Sequence, residues 1–297
     1  MRPTDHASIC TDLAQAGINS LVIVDENPTP FPTKIGSLWC YIRPLAQPQH
    51  PSKAELQRMQ DFVHYEISYG RTVGIWVGYE GVIDRILRAI EAKVPQIDAR
   101  MPLSDACCCR PFRQGCEGQW VCHATPLESA QTVLDAGLLM TRPRRSGEIL
   151  STVATRMQAT GQSDPADYFD YVCFANGNCV APDIVSMQRQ RGFNLSVQTC
   201  DQQFYPGVRF FFRYQDLCHH PDVAHDGIQT IKIREQINLD AYMVAAVVPV
   251  VDQAGTPLTL NQPAWLGNRL IRLDHRQHFG LAAWGSAALN AVKQRDR

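Results

Sequence analysis

The sequence predicts an α+β protein in two parts, a small α/β domain over residues 1–93 and a larger α+β domain over residues 120–297. Three observations predict it. The chain of 297 residues is 45% hydrophobic, which supplies a sizeable core, and its length suits two domains. The first third alternates β-branched apolar runs with amphipathic helical ones, the pattern of strands joined by helices. From Gln119 onward strand signals multiply and helical ones thin out.

In the first part, a short helix over Ser8–Ala16 is stopped by Gly17, and the run Ser20–Asp25 reads as a strand ended by the Pro-rich ENPTPFPT. Ser37–Ile42 is a second strand. Ser52–Tyr69 carries the clearest helical pattern: Ser52 and Glu55 form a capping box, Leu56, Met59, Phe62, Val63 and Ile67 share a face, and Gly70 closes it. Strand Thr72–Val77 follows, then a helix with Val82, Ile83, Ile86, Leu87 and Ile90 on one stripe.

Residues 94–119, with Pro95, Pro102 and Pro111, read as a linker. Beyond them, strands are expected at Trp120–His123, Asp170–Ala175, Val208–Tyr214, Gln229–Ile233 and Met243–Val251. Helices are expected at Pro126–Ala136, around Glu148–Ala159 and over Leu281–Lys293.

Lys+Arg at 28 against Asp+Glu at 29 leave no global field for a polyanion. The longest apolar run, Tyr242–Val251, is broken by Pro249 and is short of the roughly 20 residues a membrane helix needs. The N-terminal MRPTDHASIC lacks the apolar region of a secretory signal, so a soluble, cytoplasmic protein is expected. The eleven cysteines then read as reduced thiols or metal ligands. Five of them, Cys107, Cys108, Cys109, Cys116 and Cys122, cluster without the paired C-x2-C spacing of a structural zinc site. His219, His220, Asp222, His225 and Asp226 have the residue types of a metal site within a loop-like, Pro-containing segment. No metal ligand is assigned from either.

No Rossmann glycine motif, P-loop, H-E-x-x-H or nucleophile elbow occurs. The informative stretch is Val121–Arg145, VCHATPLESAQTVLDAGLLMTRPRR. A strand delivers His123 to its end, Thr125 is the expected helix N-cap with Pro126 at the first helical position, and Gly137 stops the helix. His-x-Thr beside a helix start can hold a ribose or a phosphate, and the same residues also suit an ordinary cap with a surface histidine. Arg142, Arg144 and Arg145 form a basic spot after the helix, suited to a diphosphate, a nucleic-acid backbone or solvent.

His123, Thr125, Val133, Leu134, Gly137 and Leu138 together resemble the ADP-ribosyltransferase superfamily, which includes poly-ADP-ribose polymerases, tRNA 2′-phosphotransferases and DNA-targeting toxins. FDYVCFA, residues 169–175, resembles that family's aromatic strand, with Tyr171 and Phe174 as the matching rings, and Arg156 precedes it where the DNA-targeting branch keeps an arginine. The resemblance spans about residues 120–250 and implies a split β-sheet domain that binds NAD as substrate. It implies that His123 and Thr125 hold the nicotinamide-side ribose, that Tyr171 and Phe174 stack the nicotinamide, and that Arg156, with Arg144 and Arg209, meets phosphate.

The family's glutamate has one late counterpart, Glu235, at the end of TIKIRE rather than at the start of the strand YMVAAVVP. Either Glu235 acts from a shifted position or the enzyme is Glu-less like the tRNA 2′-phosphotransferases, with Arg209 and Arg213 as candidates. The expected reaction is transfer of ADP-ribose to an unidentified acceptor, protein or nucleic acid. A Glu-less RNA 2′-phosphotransferase and a non-catalytic, metal-stabilised interaction protein are the alternatives.

Overall fold

The computed structural model describes residues 12–13, 15–24, 33–35, 38–42, 50–51, 53–77, 81–92, 119–159, 164–192 and 195–296. Ser52 and Cys107–Cys116 lie outside them, as does most of the helix expected over Ser8–Ala16. Asp12, Leu13 and Gln15 of that helix are helical.

The described residues divide into two compact units. The first holds those up to residue 92 and, unexpectedly, His225–Ile228. Its strands are β1 (Ser20–Val24), β2 (Thr33–Ile35), β3 (Leu38–Ile42) and β4 (Val73–Val77), in the order β2-β3-β1-β4. β1 runs parallel to both β3 and β4, while β2 is an antiparallel edge strand that the Pro-rich sequence did not announce. Helices α1 (Lys53–Ser68) and α2 (Val82–Glu91) bury most of the apolar stripes read from the sequence: Met59, Phe62, Val63, Val82 and Ile86 form one core, with Ile228 packed against it, while Ile67 and Leu87 are exposed. Gly227 has φ +69, and a Cβ there would overlap the Arg58 carbonyl, so glycine is required.

The second unit is a mixed α/β layer structure compatible with an α+β class. Its strands are β5 (Trp120–Thr125), β6 (Leu138–Met140), β7 (Tyr171–Asn176), β8 (Val208–Arg213), β9 (Val223–Ala224), β10 (Ile231–Arg234), β11 (Gln236–Asn238), β12 (Met243–Pro249) and β13 (Leu270–Leu273). Seven of them form one sheet, β13-β12-β8-β5-β7-β10-β9, antiparallel except for β12 with β13; β6 pairs separately with β11. The helices are α3 (Leu127–Ala136), α4 (Arg142–Ser146), α5 (Leu150–Ala159), α6 (Ala181–Arg191), α7 (Val197–Gln202), α8 (Tyr214–Cys218), α9 (Leu239–Tyr242) and α10 (Leu281–Arg295). No described helix is long and apolar enough to cross a membrane.

Strand alternation assigns the two faces of this sheet. Val121, Phe174, Phe210, Phe212, Ile231 and Ile233 point one way, into the main core with Ala130 and Leu134 of α3. Cys122 and Arg209 point the other way, toward Asp183 of α6. Gly207 lets β8 approach the end of β5, since a Cβ there would stand 2.1 Å from the Thr125 carbonyl oxygen.

Candidate functional site

The large sheet is unevenly stitched. β5 pairs with β8 through six residue pairs, from Trp120 to Thr125, yet with β7 only through Val121–Asn176 and Cys122–Ala175. Beyond Cys122 the two strands separate. A cavity of about 340 Å³ lies where they diverge, within the range of small-molecule sites. The gap explains why side chains from both faces of the sheet line one space, among them His123, Thr125, Tyr168, Tyr171, Cys173 and Gln229.

His123 sits at the fork. Its Nδ1 lies 3.0 Å from the Cys173 carbonyl oxygen, which only accepts, so Nδ1 carries the proton and Nε2 is left as an acceptor. Burial pushes the His123 pKa down to about 4, and the ring is neutral at pH 7. Thr125 is buried and ends β5. It is not the helix cap: Pro126 occupies that position, without any side-chain cap bond, because the strand continues two residues further than the sequence suggested. Gly137 does close α3, at φ +63.

Tyr171 and Phe174 are separated. Three residues apart on a strand, they face opposite ways. Tyr171 is partly exposed in the cavity, with the Lys232 ammonium 4.5 Å from its ring centroid. The Phe174 ring is completely buried and packs edge-on to Phe212, 5.0 Å between centroids. Phe174 also borders the cavity, but its ring belongs to the core and offers no open face for stacking.

The arginines are also redistributed. Arg209 is fully buried on the far face of the sheet, its Nε 3.0 Å from Asp183 Oδ2 and its Nη1 2.8 Å from the Gly177 carbonyl oxygen. The Asp183 carboxylate keeps it charged despite its burial, and it does not line the cavity. Arg156, on α5, forms a bidentate pair with Glu148 at 2.7 and 2.8 Å and is likewise absent from the lining. Arg213 pairs with Asp296 at 2.6 Å. Arg144 points away from the cavity toward Glu235, 3.8 Å between Nη1 and Oε2.

Three other arginines line the cavity: Arg142, Arg145 and Arg189. The TRPRR segment is not a loop but the short helix α4, so Arg142 and Arg145, three apart, share a face that Arg144 does not. Arg189 comes from α6, which the sequence reading missed. Proline in a first helical turn is a start signal, and Pro182, Val185 and Arg189 recur at helical spacing. Burial and the neighbouring Arg142 push the Arg189 pKa down to about 10, with Asp164 opposing. Burial and Arg145 likewise lower that of Arg142.

Glu235 lies just outside the lining, between β10 and β11, and is the one non-glycine described residue with positive φ, +58. Its N–H donates to the Asp170 carbonyl and its carbonyl accepts from the Thr141 N–H, both at 2.8 Å. These bonds tie it to Thr141, which lines the cavity, and to the residue before Tyr171. A left-handed glutamate held by its surroundings is a strained position of the kind that accumulates at functional sites.

Three side chains of the loop suspected of metal binding bond to nearby backbone. His219 Nδ1 donates to the Gln215 carbonyl, His220 Nδ1 accepts from the Asp222 N–H, and Asp226 Oδ1 accepts from the Ile228 N–H. Among the described residues, no group of three or more His, Cys, Asp or Glu side chains is placed to hold a metal ion. Cys122 is buried inside β5.

No family model, curated protein or solved structure matches this chain. The functional reading therefore rests on the geometry of the fork between β5 and β7.

Proposed function

We propose that the cavity binds NAD and that the protein cleaves the nicotinamide glycosidic bond, transferring ADP-ribose to an acceptor. One observation carries this reading: a neutral histidine, fixed in a single tautomer where two strands part, shares a cavity with the tyrosine Tyr171. His123 Nε2 accepts a hydrogen bond from a ribose hydroxyl, and Thr125 lies beside it. Tyr171 offers its ring to the nicotinamide, and an electron-rich face suits a cationic ring. As the glycosidic bond lengthens, positive charge grows on the anomeric carbon, and a carboxylate oriented in advance stabilises it. Glu235 is the candidate, held just outside the cavity by its backbone bonds to Asp170 and Thr141.

A second reading has its own support. Arg142, Arg145, Arg189 and His123 line the cavity and Glu235 does not, which favours a Glu-less phosphate-handling enzyme acting on RNA. Thermal unfolding with millimolar NAD tests the first step common to both, because a ligand of the folded state raises its stability. A rise in melting temperature that His123→Ala abolishes is expected. No rise at saturating NAD would remove both readings. Incubation with NAD and a 2′-phosphorylated RNA then separates them: loss of the 2′-phosphate identifies the second, stable ADP-ribosylation of an acceptor the first.

A further inference from the structure

Arg142, Arg145 and Arg189 lie close enough to repel one another. A buried arginine ordinarily pairs with carboxylates or carbonyls, as the fully buried Arg209 does here. These three do not. Among the described residues, none makes a side-chain hydrogen bond or an ion pair, and Arg189 Nε is shut off from solvent with no partner. Beside them Thr141, 5% exposed, also lines the cavity, and its hydroxyl oxygen is buried without a hydrogen bond.

Each feature costs free energy in the folded protein. Guanidinium groups gathered together repel, and buried polar atoms without partners lose the hydrogen bonds they made to water. Asp164 is the carboxylate that opposes Arg189, while Glu128, also in the lining, accepts from Gln190 Nε2 at 2.9 Å. Three guanidinium charges thus face two carboxylates in the lining, Glu128 and Asp164, and one positive charge remains in excess.

We propose that this wall of the cavity is a binding site for a phosphoryl group, clamped by Arg142, Arg145 and Arg189 with the Thr141 hydroxyl as a further donor. A phosphate monoester and the diphosphate bridge of a dinucleotide both supply negative charge and several acceptor oxygens. The planar guanidinium fork fits either with paired hydrogen bonds. The proposal does not rest on the NAD reading, because it holds for any phosphorylated ligand of the cavity.

The test is calorimetric titration of the full chain with inorganic pyrophosphate, adenosine 5′-monophosphate and NAD, at fixed ionic strength with sodium sulfate as the control anion. Wild-type protein is expected to bind pyrophosphate more tightly than sulfate. Arg189→Gln and Arg145→Gln should each weaken pyrophosphate by roughly tenfold or more, the scale of losing one charge-assisted contact, whereas Arg144→Gln should leave it unchanged. Arg145 is exposed, so its variant carries the test if Arg189→Gln fails to fold. Preference for pyrophosphate and NAD over the monophosphate identifies a diphosphate ligand, and the reverse order a monoester. Pyrophosphate binding without NAD binding supports the clamp while removing the NAD reading. NAD binding that survives loss of Arg189 and Arg145 overturns the clamp and leaves the NAD reading intact. Absence of pyrophosphate binding, or equal binding by the variants, also overturns it.

Discussion

The His123 imidazole is hydrogen-bonded to the backbone of Cys173 across the point where β5 leaves β7, Nδ1 to carbonyl oxygen at 3.0 Å. One bond therefore sets the tautomer of the ring and bridges the mouth of the fork. The same burial that suits this neutral ring makes protonation costly.

A pH dependence follows, with a definite sign. The His123 pKa is about 4 in the fold, against about 6.5 in an unfolded chain. Between those values the unfolded chain binds a proton that the folded one refuses, so stability falls as pH drops from 6.5 toward 4. The full loss is on the order of 3 kcal/mol. His220 and His275 are also shifted down by burial, so the His123 share is read as a difference. Urea unfolding of wild type and His123→Gln across pH 4–7.5 should give curves that converge at low pH. Parallel curves would show that the ring protonates freely in the folded protein.

The two aromatic residues of β7 should answer differently to truncation. Phe174→Ala removes a fully buried ring and is expected to cost about 3–5 kcal/mol of stability. Tyr171→Ala, at the cavity surface, should cost far less stability and should weaken NAD about tenfold, while Tyr171→Phe keeps most of the binding. Chemical denaturation and NAD titration of the three variants measure both effects. Equal losses of NAD binding on truncating either ring would contradict the separation of the two faces.

Arg209 is expected to behave as a core residue. Arg209→Ala strands Asp183 and should cost about 3–5 kcal/mol, the usual penalty for halving a buried ion pair. That is a drop of roughly 10 °C in melting temperature for a domain of this size. The rise produced by NAD, measured from the variant's own baseline, should persist. A fully stable Arg209→Ala protein that had lost NAD binding would place this guanidinium in the ligand site after all.

Glu235 allows strain and chemistry to be separated. Glu235→Gln keeps the left-handed backbone strained and should leave NAD binding nearly intact while lowering turnover by roughly 10²-fold. Glu235→Gly removes the steric penalty of a side chain at positive φ and should raise stability by about 1 kcal/mol while also losing turnover. Transferase assays and thermal unfolding read the two effects. Near-full turnover in Glu235→Gln would shift the chemistry to the arginine wall.

The sequence by itself determined the elements whose signals are local. The stripe Met59, Phe62 and Val63 placed α1 against the first core, and His123 was read at the end of a strand followed by a helix that Gly137 stops. It also held an unused signal, since residues three apart on a strand cannot share a face, which separates Tyr171 from Phe174. Tertiary structure alone decided which charges meet the cavity. Arg209 reads as a candidate until Asp183, 26 residues away, covers it. Arg189 carries no signal of its own in the sequence, and only the separation of β5 from β7 brings it to the cavity. Periodicity tells a side chain which way to point along its own element. What stands opposite is fixed by strand pairs and helix packing between residues distant in the chain, and those long-range partners gave each arginine its role.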